Sequence, residues 1–333
     1  WSSDVCSSDL QNIQHVYSHE MAIQDCLHSY SVVASNKVIS SVRTTTQTPN
    51  QDFLLMPAAV KGDDHTDLAL KMLSIVPKNK ERGLPLIVGK VIVIDEKTGN
   101  VEALLDGQTV TLLRTGAVAG AMSKLMHPNP VENVVIFGCG AQGRAGIDSI
   151  LFSHPELKNV YCFDYFPDCA KSYAKFYNEK YPSINFTCDE QVEKAVRCAD
   201  LIHCATTSKE ALFDGDWVKN GAQISAIGAY KLDMHELPTN IFSRKNVRVF
   251  IEEKEACESE AGDVMKAINE GVISWDNIHL IGDVVNGVVA GRENDEQITI
   301  TKVVGVAAQD VVASKTIVKA AKEQNVGVLI EDF

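Results

Sequence analysis

The sequence predicts an α/β protein in which a doubly wound parallel sheet is joined to a second, β-rich domain. Three observations carry this prediction. An apolar strand over residues 134–137 runs directly into a glycine-rich turn and a helix. Short apolar strands then alternate with helices up to about residue 303, which is typical of a parallel sheet. The first third of the chain is different, because its pattern indicates strands joined by hairpins.

The β-rich part begins with a helix predicted over residues 15–36, where apolar residues recur at three- and four-residue steps. Strands are predicted after it at 38–43, 53–60, 68–73, 88–95 and 101–106. A helix of small residues is expected to open at Arg114, with Thr115 as its N-cap, and to end near Met126.

The domain boundaries are predicted from changes in this pattern. The proline-containing segment 127–130 ends the small-residue helix and marks a junction. We therefore expect one domain over 11–127 together with 305–333, and a parallel-sheet domain over 128–304. The C-terminal part of the first domain would be a long helix followed by a strand.

Length and charge limit the class of protein. A chain of 333 residues suggests about two domains of ordinary size. The formal charge of −13 argues against nucleic acid as a partner, because neutralising phosphates requires a basic face. No apolar run approaches the ~20 residues that span a bilayer, so no membrane partner is expected.

The nine cysteines lack the paired spacing of a metal site, and no metal is expected. An odd count without a secretory signal favours reduced thiols in a cytoplasmic protein. Residues 1–10 have no initiator methionine and none of the features of a targeting peptide. We expect this segment to be foreign, non-native sequence.

The turn after the strand 134–137 carries the fingerprint G-x-G-x-x-G, a Rossmann motif. Gly138 allows the tight turn, Gly140 lets a pyrophosphate approach the backbone, and Gly143 permits close packing of helix on strand. The helix N-terminus offers free N–H groups to the phosphates. A second strand ends in Asp164, about 20 residues further on, where an acid bonds a ribose diol. This acid favours NAD, because its charge would repel a 2′-phosphate.

Three basic residues stand apart from their surroundings in the β-rich part. Arg43 ends a strand, Lys71 interrupts an apolar strand, and Arg114 lies at the predicted strand–helix junction. A buried charge without a partner is costly, so each needs an anion or the surface. One interpretation is that each pairs with one of the many acids; the other is that the three converge on the carboxylate of a substrate.

Several stretches, in order from Arg43 to about Asp310, resemble the ornithine cyclodeaminase/mu-crystallin family. They are 71–85 (KMLSIVPKNKERGLP), 106–107, 111–117 (TLLRTGA), 137–142 (FGCGAQ), 205–208 (ATTS), 261–263 (AGD) and 291–292. The family includes cyclodeaminases, amino-acid dehydrogenases, cyclic-imine reductases and hormone-binding crystallins. The resemblance implies that the β-rich domain binds substrate and forms a homodimer.

The resemblance also implies roles for particular residues. It assigns Arg43, Lys71 and Arg114 to the carboxylate of a small amino-acid or imino-acid substrate. The residues that it implies to line NAD, in addition to the three glycines, are Ala141, Gln142, Asp164, Thr206, Ile227, Gly228 and Ala229. Transfer of a hydride at such a substrate requires a proton donor near its nitrogen, and we assign this catalytic role to Lys71 or Tyr230.

One departure from the family pattern bears on the reaction. In the cyclodeaminases an aspartate lies two residues after the glycine that corresponds to Gly228, whereas this chain has Tyr230. We therefore expect an NAD-dependent oxidoreductase that transfers hydride between the nicotinamide and the Cα of a small amino acid or its cyclic imine. Two alternatives remain open, namely an ornithine cyclodeaminase that regenerates NAD and a crystallin-type binding protein without turnover.

Overall fold

The structure is a computed structural model that describes residues 5–8, 10–41, 44–127 and 129–330. Its described residues divide into two compact units, bounded by Trp1–Arg114 with Val306–Phe333 for unit 1 and by Thr115–Gly305 for unit 2. The first boundary between these units falls after Arg114, inside a helix, and the predicted domain boundary at 127/128 stays a prediction. The second boundary lies one residue from the predicted position. The functional roles of the two domains stay predictions.

Unit 1 contains a mainly antiparallel sheet. Its strands are β1 (Val5–Ser8), β2 (Val38–Ser40), β3 (Thr44–Gln47), β4 (Asp52–Lys61), β5 (Thr66–Ile75), β6 (Ile87–Ile94), β7 (Val101–Asp106) and, at the C-terminal end, β16 (Val328–Ile330). The strand order is β16-β1-β7-β6-β5-β4-β2, and β3 also pairs with β4. The expected return of the last strand to this sheet is confirmed by its pairing with β1. That residues 1–10 are foreign sequence stays a prediction.

Unit 1 also contains helices. They are α1 (Leu10–Val16), α2 (His19–Ala34), a 3₁₀ helix at Pro77–Arg82, the beginning of α3 (Gly107–Met126) and α11 (Ala307–Gln324). Of these, α11 packs against the sheet, and α1 and α2 pack against α11. The inner surface of α11 is built largely from alanine and valine, which lets it approach α2, β4 and β5 closely. Asn325 ends this helix in the left-handed conformation, with φ 54°.

The start of α3 differs from the prediction. The helix begins at Gly107, not at Arg114, so Thr115 is not an N-cap and Arg114 lies well inside the helix. The reason is the carboxylate of Asp106, whose Oδ1 accepts hydrogen bonds from the backbone N–H and the hydroxyl of Thr109 at 2.9 and 2.8 Å. An aspartate in this position satisfies the otherwise free N–H groups of a first helical turn.

Unit 2 contains the predicted parallel sheet. Its strands are β8 (Asn133–Phe137), β9 (Asn159–Phe163), β10 (Asn185–Thr187), β11 (Leu201–Cys204), β12 (Gln223–Ala226), β13 (Val247–Ile251), β14 (Ile278–Leu280) and β15 (Ile298–Lys302). Its helices, apart from the rest of α3, are α4 (Ala141–Ser153), α5 (Pro167–Lys180), α6 (Val192–Cys198), α7 (Thr239–Phe242), α8 (Lys254–Glu260), α9 (Gly262–Asn269) and α10 (Ile281–Val285). Two 3₁₀ helices lie at Gly215–Trp217 and Trp275–Asn277.

The sheet of unit 2 has the order β10-β9-β8-β11-β12-β15-β13-β14, and every pairing within it is parallel. The inner strands β8, β11 and β12 are mostly apolar and, apart from Asn133, buried, as expected for a sheet covered on both faces. Successive strands are added outward from β8 to β9 and β10, and then in the opposite direction from β11 to β12. This reversal between β8 and β11 is the arrangement of a doubly wound fold. Within the described residues, no helix has the length and apolar character to cross a bilayer.

Candidate active site

The residues predicted to bind a dinucleotide lie at one edge of the sheet in unit 2. β8 leads into the glycine loop, β9 into Asp164, β11 into the segment with Thr206, and β12 into Ile227 and Gly228. Because the strands are parallel, all four turns share the carboxyl edge. Open α/β sheets bind ligands at this edge, where the strand order reverses. The structure therefore brings these predicted residues to a single edge.

Two glycines of the fingerprint are required by close backbone packing. Gly138 has φ +95°, in the left-handed region, and its N–H donates to the carbonyl of Phe163 at 2.8 Å. A Cβ added to Gly143 would lie 1.8 Å from the carbonyl oxygen of Gly138. A side chain at Gly143 would thus push the helix away from the strand, which is the packing role predicted from the sequence.

The remaining glycine borders open space at the start of a helix. A Cβ added to Gly140 would meet no described atom within 4 Å. Gly140 is the N-cap of α4, so the first N–H groups of this helix, including those of Ala141 and Gln142, have no partner within the helix. The side-chain oxygen of Gln142 is buried and has no hydrogen-bond partner among the described residues. The free N–H groups and the open space beside Gly140 fit the pyrophosphate of a dinucleotide, whereas the oxygen of Gln142 is an acceptor and would require a donor group.

Asp164 is half-buried and fixed at the end of β9. Its Oδ2 accepts a hydrogen bond from the backbone N–H of Cys139 at 2.8 Å, and its Oδ1 accepts one from that of Phe166 at 2.9 Å. An ionised carboxylate has about four acceptor positions, so capacity remains for a ribose diol. The neighbouring Cys139 is no nucleophile at neutral pH, because burial, followed by the charge of Asp164, raises its pKa to about 12.

A buried carboxylate that the sequence did not predict joins two of these turns. Glu236 accepts hydrogen bonds from the backbone N–H and the hydroxyl of Thr206, at 2.6 and 2.9 Å. Its other oxygen accepts from the backbone N–H groups of Gly228 and Ala229, at 2.8 and 2.9 Å. Glu236 thus contacts three residues that the family resemblance implies to line the cofactor.

Two further predicted residues, Ile227 and Tyr230, flank Gly228 and Ala229 in the sequence. Ile227 is buried, and its N–H donates to the carbonyl of Cys204 at 2.9 Å. Tyr230 is half-buried in the loop after β12, and the ammonium group of Lys231 lies 5.9 Å from its ring centroid. Ile227 thus continues the sheet, whereas Tyr230 has left it.

Unit 1 brings together two of the three basic residues. Lys71 lies in the middle of β5, opposite Met56 of β4 and Val91 of β6, and is 2% exposed. Its Nζ lies 2.6 Å from Oδ2 of Asp310, and Nε of Arg114 lies 3.2 Å from Oδ1 of the same carboxylate. Arg43, the third predicted member, is outside the described residues.

Asp310 is the second acid that the sequence did not predict as part of a site. Burial raises the pKa of its carboxyl, but the charges of Arg114 and Lys71 outweigh burial and leave the pKa lowered. The adjacent Gln309 accepts a hydrogen bond from Nη1 of Arg114 at 2.8 Å and donates one to the hydroxyl of Tyr30 at 3.1 Å. Asp310 therefore stays ionised at neutral pH, and Gln309 links Arg114 to Tyr30 of α2.

Arg114 carries more N–H donors than Asp310 and Gln309 accept. The guanidinium of Arg114 has five N–H donors and the ammonium of Lys71 has three, whereas Asp310 supplies one carboxylate. Arg114 gives Nε to Asp310 and Nη1 to Gln309, and the further N–H donors of its guanidinium suit a second carboxylate. A sequence signal for Asp310 did exist, since it forms with Gln309 a polar pair in a helix of small residues. Among the described residues, no group of three or more His, Cys, Asp or Glu side chains is placed to hold a metal ion.

The fold and these two groups of residues define a class of protein: an α/β protein with a dinucleotide-type glycine loop in one unit and a buried cationic cluster in the other. The family model described as the ornithine cyclodeaminase/mu-crystallin family matches residues 9–325. The chain belongs to this family, and the predicted resemblance is confirmed.

Similar proteins have related activities. A Δ1-pyrroline-2-carboxylate reductase from Bacillus cereus is 32% identical over 301 residues, which cover 90% of this chain and 91% of the relative. A solved structure of Thermococcus litoralis Δ1-pyrroline-2-carboxylate reductase in complex with NADH and L-proline is 27% identical, with a TM-score of 0.89 over 98% of this chain and 100% of that one. An archaeal alanine dehydrogenase dimer with bound NAD is 26% identical, with a TM-score of 0.88 over 99% and 100%. These likenesses confirm the predicted fold class.

Proposed function

We propose that this chain is an NAD(H)-dependent oxidoreductase that transfers hydride between the nicotinamide and the Cα of a small amino acid or its cyclic imine. The observation that carries the proposal is the buried pair of Lys71 and Arg114, held by one acid in a member of this family. The Bacillus and Thermococcus reductases and the archaeal alanine dehydrogenase support it, because each acts on a compound of this class. Within the class, Δ1-pyrroline-2-carboxylate is the first substrate to test.

The dinucleotide would be held at the carboxyl edge of the sheet in unit 2. The N–H groups at the start of α4 and the space beside Gly140 suit the pyrophosphate, and Asp164 suits a ribose diol. The carboxylate of Asp164 also disfavours a 2′-phosphate by charge repulsion, so we propose NAD rather than NADP. When bound, NADH supplies the hydride for reduction and NAD⁺ accepts it in the reverse direction.

The substrate carboxylate would be bound in unit 1. Arg114 uses Nε and Nη1 for Asp310 and Gln309, and its remaining donors suit a carboxylate oxygen. We propose that Lys71 contributes a second donor, and that Arg43 contributes a third, as the family resemblance implies. Burial strengthens such contacts, because the competing water is excluded.

A proton donor is needed next to the substrate nitrogen. Lys71 is the stronger candidate, because its Nζ is oriented by Asp310 at 2.6 Å. Tyr230, half-buried after β12, is the second. The absence of an aspartate at the position of Tyr230 weighs against ornithine cyclisation.

Assembly and compartment are also proposals. We propose a homodimer, supported by the dimeric archaeal relative, and sedimentation velocity would test it by giving the mass of one or of two chains. We propose a cytoplasmic location, supported by the described cysteines, which are all free thiols: Cys26, Cys139, Cys162, Cys169, Cys188, Cys198, Cys204 and Cys257.

A set of parallel assays separates the candidate reactions. The purified protein is incubated with NADH and either Δ1-pyrroline-2-carboxylate or pyruvate plus ammonia, and absorbance loss at the NADH band is followed. Our proposal requires NADH loss with at least one of them. A separate incubation contains NAD⁺ and ornithine. Formation of proline and ammonia there, without net formation of NADH, would instead identify a cyclodeaminase. Tight dinucleotide binding without turnover in any assay would identify a crystallin-type binding protein.

A further inference from the structure

Glu236 lies between two turns of unit 2 that are distant in the sequence. One carboxylate oxygen takes the backbone N–H and the hydroxyl of Thr206, and the other takes the N–H groups of Gly228 and Ala229. Three of the four partners are backbone N–H groups, which can only donate, and the hydroxyl of Thr206 can donate as well, so the contacts match a carboxylate whose two oxygens both accept. The residue is fully buried, so these contacts are protected from water.

A second layer of buried charge fixes Glu236 itself. Oδ1 of Asp263 accepts hydrogen bonds from the backbone N–H groups of Glu236 and Leu237, at 2.6 and 2.9 Å. Oδ2 of Asp263 lies 3.1 Å from Nζ of Lys302, and both side chains are fully buried. Burial raises the pKa of Glu236, and the charge of Lys302 offsets this only in part, so the pKa stays above its ordinary value. An arrangement of three buried charges is costly, which makes a purely space-filling role a poor explanation.

The glycines around Glu236 show how close this packing is. A Cβ added to Gly228 would lie 2.6 Å from Oε1 of Glu236 and 2.1 Å from the carbonyl oxygen of Thr206. A Cβ at Gly262 would meet the carbonyl oxygens of Met234 and Lys231, at 2.2 and 2.8 Å. The two turns and the loop that carries Glu236 therefore form one closely packed body. We call the turns at Thr206 and at Gly228–Ala229 the β11–β12 wall.

This arrangement changes what the β11–β12 wall can offer to a ligand. The N–H groups of Thr206, Gly228 and Ala229 are already donated to Glu236, and the carboxylate gives the wall negative charge. The turn after β8 differs, because the N–H groups at the start of α4 have no partner within the helix and can bind phosphate. The β11–β12 wall thus disfavours phosphate and suits an uncharged group.

We propose that Glu236 is a positioning residue that holds the β11–β12 wall in the shape that receives the nicotinamide half of the dinucleotide. This inference depends on the dinucleotide binding in the proposed function. It separates the two halves of the ligand: the glycine loop and Asp164 bind the ADP-ribose part, and the β11–β12 wall, through Glu236, gives the nicotinamide part its added affinity.

The test compares NADH with ADP-ribose, which lacks the nicotinamide, by isothermal titration of the full-length protein. In the wild type, NADH should bind more tightly than ADP-ribose. In Glu236→Gln, NADH binding should weaken roughly tenfold, as for the loss of one or two hydrogen bonds, with ADP-ribose affinity unchanged within about twofold. Glu236→Asp, which keeps the charge but shortens the reach, should behave alike and decides the question if the Gln variant does not fold.

Asp200→Asn is the matched control. Asp200 is a half-buried carboxylate that, like the fully buried Glu236, accepts backbone N–H groups, those of Glu132 and Asn133, and it pairs with Lys219. It precedes β11, at the opposite edge of the sheet. This variant should lower the melting temperature without changing the ratio of the two affinities. If the ratio of NADH affinity to ADP-ribose affinity in both Glu236 variants equals that of the wild type, whether or not both ligands bind more weakly, the inference is overturned. Failure of the wild type to bind either ligand would contradict the proposed function itself.

Discussion

At the scale of single residues, the candidate site depends on three buried charged side chains that contact one another, those of Lys71, Arg114 and Asp310. Lys71 and Arg114 bring two positive charges into unit 1, and Asp310 supplies one negative charge between them. A lone buried charge would cost several kcal/mol, whereas a paired and hydrogen-bonded one is tolerated. The arrangement therefore leaves N–H donors of Arg114 for an incoming carboxylate.

Replacing Lys71 tests the proposed proton donor. Lys71→Met keeps the volume and the apolar stem but removes the ammonium, so turnover should fall by about 10²–10⁴. NADH affinity should stay within about twofold, because the proposed dinucleotide residues lie in unit 2. Steady-state kinetics and fluorescence titration with NADH measure the two effects.

Lys90→Met is the control for this substitution. Lys90 lies on the neighbouring strand β6 and pairs with Asp106 at 3.3 Å, but about half of its side chain is exposed. Its loss should leave turnover nearly unchanged. Full activity of Lys71→Met would show that the proton donor is another residue.

Asp310 should couple stability to pH. Its folded pKa is lowered, so it adds stability above its unfolded pKa, near 4, and loses this contribution as the pH falls through the lower folded value. Asp310→Asn leaves two cations without their anion and should cost about 3–5 kcal/mol at pH 7. The gap between wild type and variant should therefore narrow below about pH 4. Thermal melts across pH 3–7 measure it, and a gap that stays constant would contradict the assigned charge.

The residues of the site were predictable to different degrees. Lys71 stood out because a cation interrupts an apolar strand, and the glycines because their spacing has a mechanism. Asp310 and Glu236 gave much weaker signals, since the chain has 44 acidic residues and pairing is decided by tertiary contacts. The approach of Arg114 to Asp310 spans 196 positions, a separation that no local pattern encodes.

At the scale of elements, the alternation of strands and helices in the parallel sheet was predictable, because buried strands between helices have distinct patterns. Element boundaries were less predictable where a side chain or backbone contact decides them, as at the start of α3. The acidic segment 255–270 is divided between two helices, α8 and α9, with a break at Ala261. The next residue, Gly262, packs against backbone carbonyls of residues 231–234 in the loop after β12. A side chain at this position would clash with that loop, so the break falls beside a glycine.

The glycine loop allows a test in which stability and binding separate. Gly140→Ala should fold normally, because its Cβ would meet no described atom and its φ of −77° suits alanine, yet it should weaken NADH binding by at least about tenfold by filling the space beside the helix N-terminus. Gly143→Ala should lower stability as well, because its Cβ would lie 1.8 Å from a carbonyl oxygen. Melting curves and NADH titration distinguish the two. Unchanged NADH affinity in a folded Gly140→Ala would sink the assigned role of the loop.

At the scale of the whole molecule, two units divide the proposed work. Unit 2 supplies the dinucleotide loop and unit 1 supplies the cationic cluster, and neither unit contains both. The two-domain organisation was predictable from the change in pattern. The chain passes from unit 1 to unit 2 inside α3, where Gly116 packs against Ala145 of α4, and no proline or loop marks the transition.

The central claim is that hydride reaches the substrate Cα directly from the nicotinamide, and isotope transfer tests it. The protein is given NADH that carries deuterium on C4, on the face that it transfers, together with Δ1-pyrroline-2-carboxylate, and the proline formed is analysed by NMR and mass spectrometry. We predict proline with one deuterium, located at Cα, in a one-to-one ratio with the NADH consumed. Proline that lacks deuterium at Cα, although the deuterated NADH has been consumed, would contradict the account.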